Sequence, residues 1–455
     1  MKHHGRFLGI VALFCLACGN DPPPAIDIGS GGGNSGGGGS GGAGGEAPIG
    51  PEGFVFPGTL ALEPMAVTDD GQVWLFSGDY SSMGPGYPGI WQSARLRKID
   101  AQNAIAIDDQ IDADGFDVEP IAVHASANGD VFLLGHTSRA PGSSPSLPIG
   151  GQTVPITFAQ SAFVAKLDSQ GKLLWANVLN GDAGLDANGS PGLFRLADVG
   201  TDQTGRVYIA AILRGTADLG AGSVTHDDAL MFVLSPEGKH VEQRLLSSKD
   251  TAFLDLDVEP SGALWLARSS LFLTAGIEHF DATGKTTYSA WEPVCWVEGL
   301  GFAPDTQGGF FSVRTEDVAE HCTSLTMQHV LASGQQQWLV NDGMYYALRP
   351  ALARSGAGRA LLGIGLEGTI ALGNSSMTGT DRDDIWLAEF DTLGNISKTQ
   401  RFGGPGIDEI VRIGVDAKGN RFVTGYFAEQ IQFGAEPLKN TVGASRAIFL
   451  ARIAP

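Results

Sequence analysis

One pattern returns seven times along this chain: an apolar strand, a tight turn ending at glycine, and a second apolar strand. The turn glycines fall at Gly71, Gly129, Gly205, Gly262, Gly308, Gly358 and Gly419, a mean spacing of 58 residues. Clear copies run Leu62–Phe76, Val118–Leu134, Leu196–Ala210 and Ile410–Gly425; those around Gly308 and Gly358 are degraded. A second hairpin alternates with the first, in Ala94–Asp100, Ala162–Trp175, Leu230–Gly238, Ile277–Gly284, Thr326–Trp338 and Ile385–Gly394. Its last copy, Ala447–Ile453, stops before its turn. Asp-x-x-Gly turns suit such hairpins, since the carboxylate caps the turn backbone and glycine takes positive φ. Helical periodicity is absent even over eleven residues.

Two hairpins per repeat make a four-stranded unit, and units of that kind arranged radially form a propeller. The predicted fold class is all-β: a seven-bladed β-propeller of four-stranded blades. A 58-residue unit exceeds the usual ~40–50 of propeller blades, so one connection in each blade is long. It lies between the two hairpins, in 77–93, 135–160, 214–228, 363–384 and 425–444. Alternating apolar and polar residues in the strands predict sheets with one more polar face.

The stretch Gly414–Gly425, the pair Phe433-Gly434, the strand Ala162–Asp168 and the run Arg401–Gly404 carry a family likeness. They resemble the β-propeller repeats of bacterial secreted proteins, whose blades combine an Asp-x-x-Gly-Asn turn, a Thr-Gly strand, Phe-Gly, and an Ala-Phe-Val-Ala-Lys-Leu-Asp strand. The resemblance touches residues 51–455, most strongly in blades 2, 3 and 7. It implies the fold and a surface or periplasmic setting, and it brings no catalytic residues.

The C-terminal blade lacks a fourth strand, while Gly53–Leu60 is a short apolar segment belonging to no blade of its own. Pairing 53–60 with 447–453 completes a seventh blade from both ends and removes an open edge. Pro57 suits an outermost strand, where a missing N–H costs no ladder bond.

Before the propeller come two other segments. Lys2, Arg6 and the apolar run Phe7–Ala17 read as an export signal, too short for a permanent span. The run ends in Leu16-Ala17-Cys18-Gly19, which resembles a bacterial lipoprotein signal with Cys18 as the lipidated first residue; Cys15 stands where that family prefers leucine. Residues 18–50 contain a Gly/Ser tract from Gly29 to Gly45 that lacks the apolar side chains needed to offset ordering entropy, and they are expected to be a flexible tether spanning roughly 30 Å. The expected organisation is thus 1–17 signal peptide, 18–50 lipidated tether and 51–455 propeller. The expected location is the bacterial cell envelope, at the outer membrane or cell surface, held to the lipid membrane by acylated Cys18. A net charge of −21, becoming −23 once Lys2 and Arg6 are removed, repels nucleic acid and anionic lipid.

Only Cys295 and Cys322 lie outside the signal. They flank the first hairpin of blade 5, and an oxidising compartment would join them, closing a loop worth about 3.6 kcal/mol on the entropy model. The nine histidines make no His-Glu-x-x-His and no ligand-spaced cluster, and His124, His279 and His329 read as blade residues. The acidic segments Thr380–Asp384 and Asp182–Asn188 depart from the twelve-residue calcium-loop order. No catalytic, cofactor-binding or metal-ligating residue is assigned, and no cofactor is expected. The loop Tyr80–Trp91 places Tyr80, Tyr87 and Trp91 in a Pro/Gly-constrained segment, a candidate recognition patch or a cover for a blade edge. The leading functional reading is a module binding a protein or a glycan. The competing readings are a structural envelope protein, or a hydrolase or lyase acting on extracellular polymers at the central channel mouth.

Overall fold

The repeated turn sets the geometry of every blade. At Asp168 the carboxylate Oδ1 accepts from the N–H groups of Gln170 and Lys172, each at 2.9 Å, and Gly171 N–H closes onto the Asp168 carbonyl. That closure puts Gly171 at φ +80°, where a side chain would be strained. Asp416 caps its turn through Lys418 and Asn420 in the same way. All seven repeat glycines have positive φ.

The computed structural model describes residues 53–455 apart from 57–63, 82–89, 112–115, 140–145, 157, 159, 182–191, 247–250, 271–273, 294–296, 320–321, 368, 373–374, 379–383, 435 and 442–445. Within it the hairpins assemble into seven four-stranded antiparallel blades. We number blades in chain order and letter strands a to d from the ring centre outward. Blade 2 is Phe116–Ala125, Val131–Arg139, Gln160–Leu167 and Leu173–Asn180. Blade 3 is Leu193–Thr201, Val207–Asp218, Ser223–Leu234 and His240–Leu245, and blade 4 is Thr251–Val258, Leu264–Ser270, Thr274–Phe280 and Thr286–Pro293. Blades 5 and 6 are complete despite their faint repeats. They share one strand, Gln336–Gly356, whose first half is strand d of blade 5 and whose second half is strand a of blade 6.

Strands a of successive blades neighbour one another in cyclic order, and that of blade 7 meets that of blade 1, so the ring is closed. The seventh blade takes its strands from both chain ends. Asp408–Val415, Arg421–Phe427 and Ala447–Ile453 are joined at the outer edge by Gly53–Phe56, with Val55 opposite Phe449. Pro57 lies outside the described residues.

Each blade–blade interface holds its own apolar cluster, so the middle strands are buried on both faces. Leu264–Ser270 and Arg421–Phe427 are buried throughout, while the outer strand His240–Leu245 alternates. The alternation expected of the strands generally therefore belongs to the outer ones. Buried middle strands also explain the Thr-Gly and Phe signals: Gly135 pairs with Phe163 and Gly425 with Phe449. A Cβ on Gly135 would stand 2.5 Å from the Phe163 ring, so glycine there gives the aromatic its place in the sheet.

The long connections do structural work. Sheets radiating from an axis diverge outward, leaving a wedge that close packing must fill. In blade 2 the hairpin Ser146–Ile149 with Gln152–Pro155 buries Leu147, Ile149 and Val154 between blades 1 and 2. It reaches strand d, where Leu173 N–H donates to the Gly150 carbonyl. Blade 3 lengthens strands b and c to bury Ala217, Leu219 and Val224 against blade 2. Ile370 enters the cluster between blades 5 and 6. Phe433 enters the next, with its ring centroid 4.9 Å from those of Phe402 and Phe449. Among the described residues, these stretches of the long connections are thus interblade filling.

Candidate functional site

Strand a of blade 2 carries a register shift between Pro120 and Ala122. Bulges re-aim side chains, and proline is tolerated at one. Before the shift, Asp117 lies opposite Ser138 and Glu119 opposite His136, two polar cross-strand pairs on one face of the sheet. Arg195 and Leu193, on strand a of blade 3, face them across the interface. Together with Thr137, Gln160, Ser161 and Phe194 these residues line a groove of about 300 Å³, at the lower limit of typical small-molecule sites. The groove opens where strands a and c begin and strand b ends, the face carrying the b-to-c connections.

Its charges are ordered. The Arg195 Nη2 donates to Glu119 Oε1 at 2.9 Å. Leu196 N–H donates to His136 Nε2 at 2.9 Å, so that nitrogen is unprotonated and the Nδ1–H of a neutral ring points to Glu119 Oε2 at 3.4 Å. Burial works to raise the Glu119 carboxyl, but the His136 N–H and the Arg195 guanidinium outweigh it and hold it below the usual range. Asp117 accepts from the Ser138 hydroxyl at 3.2 Å. Thr137, opposite Val118 and Ser161, alternates to the other face of the sheet and turns its buried side chain toward blade 1.

A second polar cluster lies between strands a of blades 3 and 4. Leu256 N–H donates to both Asp198 Oδ2 (2.9 Å) and Asp255 Oδ1 (3.1 Å), bringing two carboxyl groups together. Burial first, and then the Asp255 carboxylate, raise Asp198 well above the carboxylate range. Asp257 is likewise raised, by desolvation first and then by Asp255, against the pull of Arg354. A carboxyl whose folded pKa exceeds its unfolded one binds an extra proton when folded, so its contribution to stability falls as pH rises. The parent should lose stability from pH 5 to pH 8, at about 1.4 kcal/mol per pH unit for each proton released. Asp198→Asn should flatten that slope in urea melts at several pH values; an unchanged slope would show that the pair ionises freely.

His279 and His329 occupy equivalent places on strands c and bond the acids of their blade's turn, Glu259 at 3.3 Å and Asp305 at 2.7 Å. His124 bonds Thr201 across blades 2 and 3, and burial lowers its pKa to about 4. All three serve blade structure, as their sequence positions suggest. Cys18, Tyr87 and Cys295 lie outside the described residues. Cys322 opens the strand Cys322–Val330, opposite Ala319, and the backbone of Tyr80 pairs with that of Trp91 at the end of the blade 1 hairpin. Among the described residues no group of three His, Cys, Asp or Glu side chains is placed to hold a metal ion. None of the groove residues was singled out from sequence, although Glu119 and His136 do break apolar strands.

Strand order and ring closure define the class: a seven-bladed β-propeller with a polar groove between two blades. No family model and no curated protein matches the chain. Among solved structures it is similar to a protein of unknown function from Dyadobacter fermentans, at 12% identity over 70% of this chain and 94% of that one, with a TM-score of 0.41. It is also similar to BBS1N in complex with ARL6DN, at 8% identity over 73% and 91% of the two chains, with a TM-score of 0.36.

Proposed function

We propose that this chain is an extracytoplasmic binding module, anchored by lipid on Cys18 and carried on the tether 18–50, that takes a protein or glycan ligand on its propeller. The observation that carries the reading is the groove between blades 2 and 3. There a concave lining drawn from four separate strands brings the Asp117 and Glu119 carboxylates and the Arg195 guanidinium to one opening. Conserving a core requires none of this, whereas holding a ligand does. The signal-like residues through Cys18 and the negative chain support the setting and argue against nucleic acid as the partner.

Two assays test the reading. Metabolic labelling with a fatty acid should mark the wild type and leave Cys18→Ser unlabelled. A polysaccharide and glycan array, run beside a pull-down from envelope extract, should yield a ligand for the mature protein in detergent. No ligand in either assay would leave only a structural envelope role.

A further inference from the structure

We propose that the propeller face carrying the tight turns docks, at blades 6 and 7, on the anionic lipid surface that holds Cys18; this rests on the lipid-anchored reading above and deepens it. The outer strand of blade 7 runs antiparallel to Ala447–Ile453, with Gly53 opposite Ala451 and Phe56 opposite Ile448. Ile453 in turn lies opposite Arg421, just past the Gly419 turn. The chain therefore joins the propeller from the turn face, on the side away from the groove. A tether of roughly 30 Å span brings that face to the lipid. Held so, the contact needs only weak affinity, because it forms at an effective concentration on the order of millimolar.

Two features of that face suit a lipid surface. Leu393 is 67 % exposed, in the turn between strands c and d of blade 6. The turn is held rigidly: Asp391 Oδ1 accepts from the Leu393 N–H at 2.8 Å, and Trp338 Nε1–H donates to the Thr392 carbonyl at 3.0 Å. The same position in blades 1 to 5 holds Gln102, Gln170, Glu237, Thr283 and Ser333, so the turn itself has no need of an apolar residue. Beside it the free charge is positive. Arg359, opposite Asp391, and Arg421 share the one carboxylate of Glu389, at 3.6 and 2.7 Å, and Arg359 stays 55 % exposed. Lys398 lies opposite Glu389, and burial first and then Arg421 lower its pKa, outweighing Glu389. Lys418 is exposed in the Gly419 turn, while Asp391 and Asp416 are engaged in capping their own turns. An apolar side chain among cations is the composition of an interfacial contact. The whole chain is at −21, but its field is screened within about 8 Å at physiological ionic strength, so a membrane senses the face turned to it. Asp69 and Asp70, exposed in the neighbouring turn of blade 1, tilt the contact onto blades 6 and 7.

The test is amide exchange on the acylated mature protein in vesicles of phosphatidylcholine alone and of phosphatidylcholine mixed with phosphatidylglycerol. Exchange in Asp391–Asn395 should slow about fivefold or more in the mixed vesicles, with Ser235–Lys239 of blade 3 unchanged, and high salt should abolish the difference. Leu393→Gln, which copies blades 1 and 2, and the pair Arg359→Gln/Lys418→Gln should each remove the slowing at an unchanged melting temperature. Equal exchange in the two vesicles, or slowing that survives both variants, would overturn the docking and leave the anchor intact. A protein captured from envelope extract through these same residues, with no difference between vesicles, would make the patch a protein contact and likewise overturn it. Protein that floats with neither vesicle would remove the anchor; the mature chain held on nickel-chelating lipid by a hexahistidine in place of Cys18 then decides the docking by the same readout.

Discussion

Deleting residues 51–60 behind an intact signal and tether should lower the melting temperature by roughly 5 °C or more. Phe56 is 4 % exposed and sits in the cluster between blades 7 and 1, with Arg97 of blade 1 lying 4.5 Å over its ring. Phe54 stacks on Phe56 at 5.9 Å, and Val55 packs into the cluster between blades 6 and 7. Side chains of this kind contribute about 1.5–3 kcal/mol each when fully buried. For a domain of this size the entropy of unfolding is on the order of 0.85 kcal/mol per degree, which converts a loss of about 4 kcal/mol into that shift. Losing the strand also uncovers Ala447–Ile453 as a new edge. Removing the Gly tract 29–45 should leave the melt unchanged. Scanning calorimetry on the two truncations separates them, and equal melting temperatures would refute closure by the N-terminal strand.

Arg268→Met should cost about 3–5 kcal/mol, among the largest losses available to a single substitution in this chain. Arg268 is fully buried in strand b of blade 4; its Nε and Nη2 donate to Glu278 Oε2 at 3.1 and 2.6 Å, and its guanidinium lies 4.8 Å over the Trp291 ring. Removing the cation strands a carboxylate that is 8 % exposed. The double variant Arg268→Met/Glu278→Leu should recover most of the loss, because a buried ion pair contributes little beyond an apolar pair of similar volume. Urea unfolding of the two single variants and the double decides this. A double variant as unstable as Arg268→Met would mean that the loss comes from the Trp291 contact and packing, not from the orphaned charge.

The blade count and the seam were legible because they rest on backbone demands that only certain residues meet. A turn that needs positive φ selects glycine at Gly71, Gly205 or Gly419, and a missing fourth strand beside Ala447–Ile453 leaves one place for Gly53–Phe56. The length of the b-to-c connections was legible too, but not their use, because an apolar residue such as Phe433 reads the same whether it packs in its own sheet or plugs the next interface. The groove was hidden for a different reason. Glu119, His136 and Arg195 are brought together only by folding blade 2 and docking blade 3, and each by itself reads as a stray polar residue in a strand. The Asp198–Asp255 pair was equally silent, since nothing in the local sequence says that two strands a meet at Leu256 N–H.

The most direct measurement of the closed seven-bladed ring is amide hydrogen exchange read on the peptide covering Gly53–Phe56. If the ring is zipped by both chain ends, these amides are protected to the same degree as those of Ala447–Ile453 and lose protection together with them as denaturant is added. Exchange of Gly53–Phe56 at the rate of the Gly tract 29–45, while Ala447–Ile453 stays protected, would contradict the account.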